Sequence, residues 1–174
     1  MLIFKTVIKI LKWILIALIA LLLAHNIYVI IQHTVFNEKL PKVFGFASAV
    51  VITGSMEDTI SPNDVVLIHE RDEYREGDII TFFDQSVNDY VTHRIISVTD
   101  EGYLTKGDAN NAPDPDPVKQ EQVAGAVYCV LPQFGVVSSF ISSPVGAIVT
   151  GAIGLGIIFL PDVISSLIHK KKAE

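Results

Sequence analysis

The chain begins and ends in long apolar runs, and between them apolar and polar residues alternate over short stretches. Trp13 to Ile31 is 19 residues without Lys, Arg, Asp or Glu. As a helix this run rises ~28 Å, close to the hydrocarbon thickness of a bilayer, and predicts a transmembrane helix over 13–31. His25 and Asn26 fall near its far end, where polar groups cost less. Lys5, Lys9 and Lys12 ahead of it resemble the n-region of a signal peptide. The run is too long for that reading, and Leu22-Leu23-Ala24 makes a poor small-x-small cleavage site. A second uncharged stretch spans 134–160, punctuated by Pro144 and Pro161. It predicts an interfacial segment over 134–143 and a second transmembrane helix over about 145–160. Gly151, Gly154 and Gly156 would weaken a soluble helix but are tolerated in a bilayer.

The middle, 32–132, has the size of one modest core. Ala47–Thr53, Asp64–His69, Asp78–Phe83, Tyr90–Thr99, Gly102–Thr105 and Val123–Val130 are apolar, β-branched runs separated by turn signals such as Ser61-Pro62-Asn63-Asp64 and Glu76-Gly77-Asp78. Asp100-Glu101-Gly102 predicts a tight hairpin, and the Pro-rich run Asp108–Pro117 a loop. The fold class expected is a mainly β ectodomain of antiparallel sheets between two transmembrane α-helices.

Charge sets the orientation. Lys5, Lys9 and Lys12 precede the first span; Lys170, Lys171 and Lys172 follow the second. Lys and Arg collect on the cytoplasmic side, so 1–12 and the basic tail 161–174 are expected inside a cell membrane that the chain crosses twice. Residues 33–132 carry 17 Asp+Glu against 7 Lys+Arg, a net of −10, and are expected outside. An acidic ectodomain argues against a nucleic-acid partner, which needs a basic footprint. The single Cys129 excludes an intramolecular disulfide and, within Val127-Tyr128-Cys129-Val130-Leu131, reads as a packed strand residue. No pair of histidines has metal-ligand spacing, and no metal or other cofactor is expected.

Three segments carry candidate chemistry: Thr53-Gly54-Ser55-Met56, Thr92-His93-Arg94, and Lys106-Gly107-Asp108 through Asp114. A serine hydroxyl is a poor nucleophile until a neighbouring base takes its proton. Gly54 permits a sharp turn that presents Ser55. His93 lies mid-strand, on the face shared with Val91 and Ile95, where a half-buried imidazole can act as general base. On most apolar strands such a histidine is a satisfied core residue. A carboxylate must then fix the imidazole tautomer. Asp114, between Pro113 and Pro115, has restricted backbone freedom that suits this role. Asp108, after Gly107, can cap its own turn and is given a supporting role. The Ser55 backbone N–H is a candidate oxyanion donor. A histidine base must be neutral to work, so activity should fall as pH drops below ~6.5, the ordinary imidazole value.

At these residues the chain resembles type I signal peptidase, of the short archaeal and endoplasmic-reticulum branch also called SipW-like. Val51-Ile52-Thr53-Gly54-Ser55-Met56 looks like the nucleophile box, and Gly77-Asp78-Ile79-Ile80-Thr81-Phe82 like the strand box that follows. Val91-Thr92-His93-Arg94-Ile95-Ile96 is similar to the base box, with His where the common bacterial branch has Lys. Lys106-Gly107-Asp108 through Asp114 looks like the terminal acid box. Asp58 departs from the family, which usually has Pro at that place, and adds a charge beside the nucleophile. The short hairpin from Thr99 to Lys106 leaves no room for the large inserted domain of the Lys branch. The resemblance implies a membrane-bound serine endopeptidase that removes signal peptides at the outer surface of the bilayer. It adds the Thr53 hydroxyl as an oxyanion donor and Asp114 as the triad acid. Its implied partners are the bilayer, the secretion translocon, and secretory preproteins with small residues before the cut. A catalytically silent membrane-anchored β-domain that holds secreted proteins is the alternative.

Overall fold

The computed structural model describes residues 2–171, with side chains from 6 to 159. The predicted roles of Lys5, Lys170, Lys171 and Lys172 as flanking charges lie outside the described side chains. The chain divides into two compact units, 32–139 and a helical unit of 1–31 with 140–174.

In the helical unit, α1 (Leu2–Thr34) contains a stretch, Thr6–Thr34, long and apolar enough to cross a membrane. Only 11% of its most apolar window is buried within the molecule, and Trp13, Leu18 and Leu21 are exposed, so it is not the core helix of a soluble protein. Toward the C-terminus come α2 (Gly135–Ile141), most of which belongs to the 32–139 unit, and α3 (Pro144–Lys171). The stretches Gly135–Ile141 and Pro144–Phe159 pass the same test only when taken together, and they are bent by 77° at their break. The break falls at Ser142-Ser143-Pro144, where Pro144 opens the new helix, a first-turn position that suits its missing N–H. One clear membrane-spanning helix is therefore present, with a broken apolar pair behind it. The helix α3 runs on through Pro161, where the sequence pattern placed the end of the span. Lys12 Nζ donates to the Ile158 carbonyl at 3.1 Å, while Ile16, Ile19, Ala20 and Leu23 line one groove with Gly151, Gly154, Leu155 and Ile158. Later residues of α1 thus meet earlier residues of α3, and the two helices run antiparallel.

The second unit is a six-stranded sheet built from β1 (Phe46–Val50), β2 (Val65–His69), β3 (Ile79–Asp84), β4 (Asp89–Thr99), β5 (Gly102–Lys106) and β6 (Val123–Leu131). The strand order is β1-β2-β6-β3-β4-β5, and every pairing is antiparallel. The β4–β5 hairpin closes at Thr99 and Gly102, where the glycine takes φ +136° and a Cβ would stand 2.4 Å from the Val118 carbonyl oxygen. No other residue fits that approach. Strand β1 stops at Val50, short of the expected Thr53. Val51 instead exchanges hydrogen bonds with Asn63 and Asp64, which form the turn beside the nucleophile segment.

Two apolar clusters hold the sheet. Leu40, Ala47, Met56, Ile60, Val66, Ile68 and Ala124 form one; Tyr74, Ile80, Phe82, Ile95, Val118, Val123 and Ala126 form the other. Burying each large side chain contributes roughly 1.5–3 kcal/mol before the loss of chain entropy is counted. Met56 and Ile60 tie the first cluster to the candidate site, because they anchor the segment that carries Ser55.

Candidate active site

Ser55 sits in a run of turns after β1. Glu57 N–H donates to the Gly54 carbonyl, and the Thr59 and Ile60 N–H groups donate to that of Met56. Met56 and Ile60 are 2% and 1% exposed, so their anchoring in the core sets the direction of the half-buried Ser55 between them and the strand. His93 lies mid-β4, opposite Ile80 of β3, and is buried. The Phe82 ring meets its imidazole edge-on at 6.3 Å between centroids, closing one flank with apolar surface.

The acid loop follows β5 and folds back along it. Tyr103 and Val118 exchange backbone hydrogen bonds, and the Asp114 N–H donates to the Thr105 carbonyl at 2.8 Å. The near half of the loop lies on the nucleophile turn. The Ala109 N–H donates to the Ser55 carbonyl at 2.9 Å, and the Asp108 N–H points at Met56 Sδ at 3.4 Å.

Ser55, His93 and Asp114 come together in one line. His93 Nε2 is 3.2 Å from Ser55 Oγ, and His93 Nδ1 is 2.7 Å from Asp114 Oδ2. Burial raises the Asp114 carboxyl, but hydrogen bonds from His93 and Thr105 and the attraction of His93 outweigh it and hold the group below its ordinary value. An ionised Asp114 accepts from Nδ1–H, which leaves Nε2 as the acceptor for the serine hydroxyl. The arrangement can therefore draw a proton from Ser55 toward the imidazole. Thr53 Oγ1 lies 3.4 Å from Ser55 Oγ, on the same side of the turn.

Asp108 stands outside this line. Arg94 grips it with two bonds, Nε to Oδ1 at 2.9 Å and Nη2 to Oδ2 at 2.7 Å, while Thr59 Oγ1 donates to Oδ2 at 2.5 Å. The Arg94 fork holds its carboxyl below the ordinary range, and Asp108 in turn raises the guanidinium. Asp108 so ties the base strand, the acid loop and the nucleophile turn together. Asp58 is exposed, and among the described residues no hydrogen bond or ion pair joins it to Ser55, His93 or Asp114. The sequence pattern did not single out Thr105, Thr59 or the Arg94–Asp108 pair. The available signal was charge: a lone Arg directly after the candidate base, and two carboxylates in one loop.

A cleft of 900 Å³ borders the site on the Asp114 side, lined by Phe82, Asp84, Ser86, Asp116 and Gln122 among others. Among the described residues, no group of three or more His, Cys, Asp or Glu is placed to hold a metal ion.

No family model matches the chain. Signal peptidase I W of Bacillus subtilis (strain 168) is 41% identical over 90 residues, which cover 48% of this chain and 47% of that protein. The signal peptidase complex catalytic subunit SEC11 of Zygosaccharomyces rouxii is 32% identical over 108 residues, 53% of this chain and 64% of that protein. The SEC11 subunit of Scheffersomyces stipitis is 30% identical over 109 residues, 55% and 66% respectively. The matched part thus spans about half the length of the first relative and under two thirds of the others. The chain is homologous to the signal-peptidase superfamily of the SipW and SEC11 types, and that relationship supports a protease-like fold and function.

Proposed function

We propose that this protein is a membrane-bound serine endopeptidase that removes signal peptides from secreted preproteins at the outer surface of the bilayer. The observation that carries the reading is the line from Ser55 Oγ through His93, at 3.2 Å, to Asp114, at 2.7 Å. In this mechanism Ser55 attacks the scissile carbonyl while His93 takes its proton, then delivers that proton to the leaving amine. Asp114 holds the imidazole with Nε2 toward Ser55 and stabilises the imidazolium. The Ser55 backbone N–H and the Thr53 hydroxyl meet the developing oxyanion. Asp108 keeps the loop and the nucleophile turn in register through Arg94 and Thr59. The relatives carry the name signal peptidase, which supports signal peptides as the substrate and suits a chain whose own N-terminal helix is fit for a bilayer.

The proposed topology has two spans, α1 and the bent pair α2–α3, with both termini in the cytoplasm and the β unit outside. The antiparallel course of α1 and α3 supports it, because it brings the Lys-rich N-terminal end of α1 and the Lys-rich C-terminal end of α3 to one side.

The test is cleavage of a purified secretory preprotein, with Ala at the positions before the cut, by the full chain in detergent micelles. Ser55→Ala and His93→Ala should each lower turnover by several orders of magnitude, and the double variant little further, because the two act as a unit. Near-normal cleavage by a folded His93→Ala protein would overturn the mechanism.

A further inference from the structure

Asp114 is held at two points by one residue that the chemistry above leaves unused. Thr105, in β5, is fully buried and pairs with the buried Ile95 of β4. Its carbonyl accepts the Asp114 N–H at 2.8 Å, and its Oγ1 donates to Asp114 Oδ2 at 2.6 Å. That oxygen is the one facing His93 Nδ1. A carboxylate turns easily about its last torsion, which has broad wells. Neither Pro113 nor Pro115 restrains that torsion, since they fix only the backbone. A hydroxyl donor set in a strand does restrain it, and it draws charge from the oxygen that binds the imidazole.

We propose that Thr105 is a positioning residue of this site: its buried hydroxyl fixes the Asp114 oxygen that aligns His93 on Ser55. The proposal rests on the hydrolase reading given above. The hydroxyl acts in two ways. Without it, Asp114 swings more freely and fewer molecules hold His93 in line. Without it, Asp114 Oδ2 also becomes a stronger acceptor, so the imidazolium is favoured and the neutral base appears only at higher pH. Among the described residues Asp108, itself paired with Arg94, also interacts electrostatically with His93.

The test uses the full chain in detergent micelles with Thr105→Val, which keeps the volume, and Thr105→Ser, which keeps the hydroxyl. Thr105→Ala serves as a second hydroxyl-free variant should the valine protein not fold. Two readouts are taken: cleavage of the same preprotein across pH, and titration of the His93 ring by NMR, assigned with His93→Gln. Thr105→Val should lower kcat about five- to twentyfold, the scale of one hydrogen bond, with KM unchanged. The acid limb of the rate and the His93 titration should move to higher pH together. Thr105→Ser should restore all of these, and Thr105→Val should add no further loss to Asp114→Asn. A purely structural residue would lower stability without moving the titration. The proposal is overturned if hydroxyl-free variants keep the wild-type kcat and titration, or if Thr105→Ser is as impaired as Thr105→Val. If the wild-type chain cuts no preprotein, the hydrolase reading fails, and the NMR arm still decides whether Thr105 governs the Asp114–His93 pair.

Discussion

A Cβ placed on Gly107 would stand 2.5 Å from the Ser55 carbonyl oxygen. The acid loop therefore rests directly on the nucleophile turn, and only a residue without a side chain allows the contact. The obstructing atom is backbone, held by the Ala109 N–H on one side and the buried Met56 on the other, so it has little room to yield.

Gly107→Ala should push the loop and Ser55 apart while leaving the sheet intact. Misplacement of reacting groups by about 1 Å can cost up to about a hundredfold in rate. We expect preprotein cleavage to fall about ten- to a hundredfold with an unchanged far-ultraviolet circular dichroism spectrum. Wild-type cleavage rates would show that the loop is free to move and that this contact does not set the geometry.

The two loop carboxylates have different partners, and their variants should differ accordingly. Asp114→Asn leaves His93 beside an amide that cannot stabilise the imidazolium and that favours the wrong tautomer, so turnover should fall by about three to four orders of magnitude with the fold retained. Asp108→Asn loses the charge that Arg94 grips, and should cost about 1 kcal/mol of stability in this partly buried setting. It should keep a substantial part of the activity. Initial rates and thermal midpoints of both variants decide this; the opposite ranking would move the orienting role to Asp108.

Much of the fold was legible because one-sided burial writes a period of two into a strand. In β4 that alternation placed His93 with Ile95, and both are buried. Turn residues marked the β4–β5 hairpin for a similar reason, since the conformation at Gly102 admits little else. Strand order was not legible. Strand β6 inserts between β2 and β3, and such pairing depends on contacts between residues far apart in sequence rather than on local pattern. The end of β1 was misplaced because Val51 and Ile52 look like strand residues, while the hydrogen bonds of Val51 go to a turn. The Thr105 hydroxyl was hidden for a different reason: a threonine inside a strand reads as a β-former, and only tertiary contact gives its oxygen a partner.

Topology gives a prediction independent of chemistry. In a Cys129→Ala background, cysteines introduced at Asn88 and Lys171 should label differently in intact cells. A membrane-impermeant maleimide should reach position 88 from outside and position 171 only after permeabilisation, as the Lys asymmetry requires. Labelling of position 171 from outside would mean that the broken pair α2–α3 does not cross, leaving α1 as the single span.

The last prediction concerns acid. Asp108 and Asp114 both have carboxyls below their ordinary values in the folded chain, the first chiefly through Arg94, the second through His93 and Thr105 against the opposing effect of burial. An unfolded chain takes up protons at the ordinary carboxylate values, about 4, while the folded one resists. Below that range the unfolded state binds more protons, so the stabilisation is fully present above it and is lost as pH falls through the depressed folded values. The thermal-midpoint gap between the wild type and Asp108→Asn should therefore stay constant from pH 7 to about 5 and close progressively below about 4. Activity should respond earlier. A general base must be unprotonated to take the Ser55 proton, so acid should stop turnover by protonating that base before it weakens the fold. Measuring cleavage rate and thermal midpoint on the same samples between about pH 8 and 3.5 separates the two transitions. If rate and midpoint fell together, acid inactivation would be unfolding rather than protonation of the base.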